Sequence, residues 1–104
     1  MGPETIFEYD LEKGKESSDT YGSYAVRYLK DSGFCVEIGD GYRHNIRLEA
    51  KHWNRLLRII RDGELDADGV AAIIHGLMWH GLRKEHKKTF IAAIKSGAIK
   101  EIKE

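Results

Sequence analysis

The stretch NIRLEAKHWNRLLRIIRDGE, residues 45 to 64, constrains this chain more than any other. Within it Trp53, Leu56, Leu57 and Ile60 stand at i, i+3, i+4 and i+7, which puts all four on one stripe of an α-helix. Lys51, Arg55 and Arg58 recur at i, i+4 and i+7, about half a turn away from that stripe. A helix from about Lys51 to Arg61 is therefore predicted, with Gly63 as its C-cap. Its apolar stripe needs a partner to bury it, and the residues upstream supply a sheet.

TIFEYDL (5 to 11) alternates Ile6, Glu8 and Asp10 against Phe7, Tyr9 and Leu11, a strand period with one apolar face. EKGKESSDTYGS then breaks the pattern as an exposed loop does. YAVRYLK (24 to 30) sets Tyr24, Val26 and Tyr28 on one face. FCVEI (34 to 38) directs Phe34, Val36 and Ile38 inward, with Cys35 and Glu37 outward. Asp40-Gly41 is a hairpin signal, because both residues accept positive φ. NIRLE (45 to 49) returns with Ile46 and Leu48 inward and Arg47 outward. After Gly63, Asp66 and Asp68 open a helix striped by Val70, Ile73, Ile74, Leu77 and Met78. A third helix is predicted from about Arg83 to Ser96, with Phe90, Ile91 and Ile94 apolar and Gly97 closing it. AIKEIKE follows as a short amphipathic tail.

The predicted fold class is α+β: a curved antiparallel four-stranded sheet, then the amphipathic helix (ββββα), then a C-terminal helical pair. Residues 1–63 form the sheet and its helix, and 64–104 pack on them as a helical extension of the same folding unit. Cys35 is the sole cysteine, so no internal disulfide forms and a reducing compartment is expected. The chain opens on acidic residues and holds no apolar run of membrane-spanning length, so a cytoplasmic protein without a membrane partner is expected.

Charge is balanced overall, with 17 Lys+Arg against 17 Asp+Glu, which argues against indiscriminate coating of nucleic acid. It is nevertheless segregated. Residues 1–40 hold nine acids and four bases, whereas residues 41–61 hold six bases and one acid. A compact cationic stretch of this kind either grips phosphate or is simply solvated. The histidines His44, His52, His75, His80 and His86 do not fall at zinc-ligand spacing, and no HExxH occurs. Cys35 lies mid-strand beside Glu37, which would raise its pKa rather than activate it. No catalytic motif is present, so neither an enzyme nor a cofactor is expected. Tyr21 and Tyr42 lie in loops where they could stack bases, whereas Tyr24 and Tyr28 share the core face of Val26.

IRLEAKHWNRL, with Ile46, Leu48, Trp53 and Leu56, resembles the last strand and helix of the single-stranded DNA-binding domain of the transcriptional positive-cofactor-four family, which is related in fold to the whirly proteins. VRYLK (26 to 30) and CVEIG (35 to 39) are similar to its second and third strands, so the resemblance covers roughly residues 20 to 62. It implies that the family's outward basic residues fall on Arg27 and Arg47, and that its loop aromatic falls nearest Tyr42. It also implies a homodimer formed through the helix, with Trp53, Leu56, Leu57 and Ile60 shared between core and interface. The expected function is non-enzymatic binding of single-stranded DNA or RNA, related to transcription, through Arg27, Tyr42, Arg43, Arg47 and Lys51. The alternative is a protein-interaction or assembly module whose cations are solvated.

Overall fold

Strand alternation decides which face of the sheet the helices cover. The structure, a computed structural model, describes residues 4–17, 24–30, 36–39, 45–63 and 83–103. In chain order these form β1 (Glu4–Asp10), β2 (Lys15–Glu16), β3 (Ala25–Lys30), β4 (Val36–Gly39), β5 (Ile46–Leu48), α1 (Ala50–Asp62) and α2 (Lys84–Ser96). The strands make one antiparallel sheet in the order β2-β1-β3-β4-β5. The α+β class is the one predicted, with five strands instead of four. The extra strand, β2, is a two-residue hairpin partner of β1 inside what the sequence presented as loop.

That hairpin has a local cause. The Asp10 carboxylate accepts the backbone N–H groups of Glu12 at 2.7 Å and Lys13 at 2.8 Å, an Asx-type turn. Gly14 completes the reversal at φ 68°, a left-handed conformation that glycine adopts without steric cost.

Two cross-strand rows build the core face. Tyr9, Val26, Ile38 and Ile46 lie in register across four strands, and Phe7, Tyr28, Val36 and Leu48 form the next row. These residues join Trp53, Leu56, Leu57 and Ile60 of α1 and Phe90, Ile91, Ala93 and Ile94 of α2 in one cluster. A register shift between Thr5 and Phe7 pushes Ile6 out of the ladder, and its side chain is 66% exposed.

The α1 stripe is buried as its spacing requires. Gly63 caps the helix through its N–H to the Ile59 carbonyl, but at φ −90°, so no left-handed residue is used there. α2 ends on Gly97 at φ 84°, the left-handed cap. Beyond it Ile99 turns back into the core and Ile102 packs at its margin. The predicted helix over 66–78, the Asp40-Gly41 hairpin and Cys35 lie outside the described residues. Among the described residues no helix is long and apolar enough to cross a membrane.

Trp53 sits at the junction of these parts, fully buried. Its ring meets Tyr28 edge-on at 6.0 Å and Phe90 at 5.9 Å, and its indole N–H donates to the Lys100 carbonyl at 3.2 Å. Trp53→Ala should destabilise the chain by about 3–5 kcal/mol, since transfer and cavity terms add. Urea denaturation checks this, and an unchanged midpoint would mean that the residue is not central to the packing.

Candidate nucleic-acid interface

The sheet face opposite α1 and α2 carries charge in a fixed order. Register places Glu8, Arg27, Glu37 and Arg47 side by side on β1, β3, β4 and β5. The Arg27 guanidinium pairs with Glu8 and reaches Glu37 at 3.4 Å, while Arg47 Nε donates to Glu37 at 3.0 Å. Cross-strand neighbours of opposite charge stabilise a sheet, and here the signs alternate along the whole row.

Burial separates the two arginines. Arg27 is only 5% exposed, with Glu8 and Glu37 buried beside it. The expectation that Arg27 projects outward to meet phosphate is corrected: its guanidinium is committed to carboxylates within the fold. The alternation read Glu37 as outward too, and it is buried as Arg27's partner. Strand period identified their face correctly, but that face is not solvated at these positions. Arg47 is different, because its side chain is 56% exposed at the end of the row.

The cations of α1 also divide. Lys51, His52 and Arg55 are exposed on its first turns. Lys51 lies 3.9 Å from Glu49, both well exposed, a weak contact. Arg55 has no ion pair among the described residues. Arg58 and Arg61, by contrast, turn toward Glu101, Arg58 Nε at 2.7 Å and Arg61 Nη1 at 3.7 Å. Arg61 also donates to Asp62 at 3.2 Å, and that hydrogen bond, ahead of the charges of Asp62 and Glu101, holds its pKa above the usual arginine value. Tyr42 and Arg43 lie outside the described residues.

The sequence did not reveal the clamp on residues 98–103. Asn54, buried beside Trp53, donates from Nδ2 to the Ile102 carbonyl and accepts the Ile102 N–H at Oδ1, each at 2.7 Å. This is the pairing a β-strand would offer, made by one side chain. The Tyr28 hydroxyl donates to the Lys100 carbonyl at 2.8 Å and accepts its N–H at 3.2 Å. Burial pushes the Tyr28 phenol pKa up, and the hydrogen bonds to Lys100 and Trp53 offset part of that rise. The only sequence signal for the clamp was an amide next to the tryptophan on the buried side of a helix, which periodicity does not interpret.

Trp53, Leu56, Leu57 and Ile60 are all buried within one chain, packed on the sheet and α2. The stripe expected to be shared between core and interface packs in the core of the single chain. Among the described residues, Ile6 and Ile59 are the exposed large hydrophobic side chains. His86 is buried at the start of α2, where its Nδ1 accepts the Arg83 N–H at 3.2 Å and its ring stacks on Tyr24 at 4.0 Å. Burial pulls its pKa down, the charge of Arg83 adding to that and those of Glu12, Glu85 and Asp10 opposing it. Among the described residues no group of three or more His, Cys, Asp and Glu side chains is placed to hold a metal ion.

Arg27→Ala would leave two buried carboxylates without their shared cation and should lower stability by about 3–5 kcal/mol. Arg47→Ala, which removes a half-exposed cation and leaves the buried Glu37 with Arg27, should cost less, about 1–2 kcal/mol. Denaturant titration of both variants checks this, and equal costs would contradict the division into buried and surface cations. Compared with known proteins, the chain matches no family model, no curated protein and no solved structure.

Proposed function

We propose that this chain is a non-enzymatic module that binds single-stranded nucleic acid by electrostatic contact with its backbone. The observation that carries the reading is the first half of α1. There Lys51 and Arg55 stand at i and i+4 on one exposed helix face, and Arg55 has no ion pair among the described residues. Arg47, more than half exposed on the strand just before the helix, adds a third cation, although its Nε is hydrogen-bonded to Glu37. Lysine and arginine side chains held this way take up phosphate by releasing condensed counterions. The resemblance of residues 20 to 62 to a single-stranded DNA-binding family supports the same reading. Arg43 and Tyr42, in the connection before β5, belong to it as a phosphate contact and a stacking surface. Arg27 does not belong to it, because its charge is spent inside the sheet.

A second reading, a protein-interaction module, draws on a different observation. Asn54, Trp53 and Tyr28 recognise the backbone of an extended peptide, the chain's own residues 100 and 102. That arrangement suits peptide recognition as well as it suits closing the fold.

Titration of a fluorescent single-stranded oligonucleotide at low and moderate salt separates the two readings. Wild type should bind at low salt and weaken as salt rises. Lys51→Ala with Arg55→Ala should weaken binding to all sequences alike and flatten the salt dependence by about 0.7 per lost contact. Absence of binding by wild type at low salt would transfer the assignment to the interaction module.

A further inference from the structure

Glu101 is positioned by the backbone on either side of it. Lys100 is held by the Tyr28 hydroxyl and the Trp53 indole, and Ile102 by both polar atoms of the Asn54 amide. Ile99 is buried in the core just before. The main chain at 101 therefore has little freedom, and its carboxylate is delivered to Arg58 and Arg61 at 2.7 and 3.7 Å.

The apolar anchors and the amide clamp already explain why this segment lies on α1. They do not require an acid at 101, nor two arginines one helical turn apart to receive it. Stability does not account for the trio either, because exposed ion pairs contribute little. Two guanidinium groups converging on a single oxyanion are, however, the arrangement by which proteins hold phosphate.

We propose that Arg58 and Arg61 form a phosphate-binding site that the chain's own Glu101 occupies as an internal competitor. Its ligand class is a phosphate oxyanion, either the phosphodiester of a single strand or a free oligophosphate; the strand form rests on the function proposed above. A ligand of this site binds only the fraction of molecules in which Glu101 has swung away, so its apparent affinity falls by that fraction. Tethering gives Glu101 a high effective concentration, which excludes a weak monovalent anion and admits a polyanion. The cations of α1 then act in two sets. Lys51, in only a weak contact with Glu49, and Arg55 are open in the fold as it stands. Among the described residues, displacement of Glu101 frees Arg58 and leaves Arg61 with its exposed neighbour Asp62 alone.

Glu101→Gln tests this directly, because it removes the charge and keeps every backbone hydrogen bond of the clamp. Two probes are used, a fluorescent oligothymidylate and sodium tripolyphosphate, the second followed by calorimetry. Glu101→Gln should tighten oligothymidylate binding by about two- to fivefold, the equivalent of losing one exposed ion pair. It should also steepen the salt dependence by about 0.7 for each arginine released onto the strand. Adding Arg58→Ala and Arg61→Ala to Glu101→Gln should abolish the gain. A gain with oligothymidylate alone identifies the strand backbone as the ligand, and a gain with both probes identifies phosphate generally. A gain with tripolyphosphate, when neither protein binds oligothymidylate, retains the masked site and rejects the nucleic-acid function. If wild type binds oligothymidylate and Glu101→Gln changes neither affinity nor salt slope with either probe, the masked site is wrong and the function stands. If neither protein binds either probe, both are wrong.

Discussion

Trp53 is the residue on which the rest of the structure depends. It lies where the sheet, α1, α2 and the segment after α2 meet, touching Tyr28 and Phe90 with its ring and Lys100 with its N–H. A large buried indole is favourable only if its one donor is satisfied. Here the acceptor comes from residue 100, far along the chain, so the segment after α2 completes the polar pairing of the core. Asn54 extends the same logic by one residue. A buried amide is costly unless paired, and it is paired twice to Ile102.

The cationic stretch that dominates the sequence is not one surface. Arg27, on β3, shows how the sheet consumes charge: among the described residues its carboxylate partners Glu8 and Glu37 are its own cross-strand neighbours. Arg47 ends that row and keeps one side in water. Along α1 the first turns leave Lys51 and Arg55 open, and the last turns give Arg58 and Arg61 to Glu101. Near-neutral composition therefore coexists with a local cationic face, because much of the positive charge is answered by specific acids across the fold. What can meet a partner depends on which pairs are buried and which are exposed, not on how many cations the sequence holds.

Much of this fold was legible because apolar residues repeat at the period of their element. The α1 stripe and the alternation of Tyr24, Val26 and Tyr28, and of Ile46 and Leu48, fall where the sequence placed them. β2 was not legible, since two charged residues in a hairpin carry no period, and the turn that makes it rests on one aspartate. Arg27 was misread for a physical reason. Strand period tells which face a residue is on but not whether that face is solvated. The clamp by Asn54 and Tyr28 was invisible because it joins residues more than forty positions apart through side-chain-to-backbone hydrogen bonds that no local period signals. The same holds for Glu101, whose place opposite Arg58 and Arg61 no local period signals.

The claim that an open cationic surface lies at the end of β5 and the first half of α1 can be read residue by residue. Nuclear magnetic resonance of the uniformly labelled chain, with a single-stranded oligonucleotide added stepwise at low salt, maps where contact occurs. Shifts concentrated at Arg47, Lys51, His52 and Arg55, with the Arg27 guanidinium unmoved, are the expected result. Shifts centred on α2, on its exposed Lys84 and Lys88, or a perturbed Arg27 with a silent α1, would contradict it.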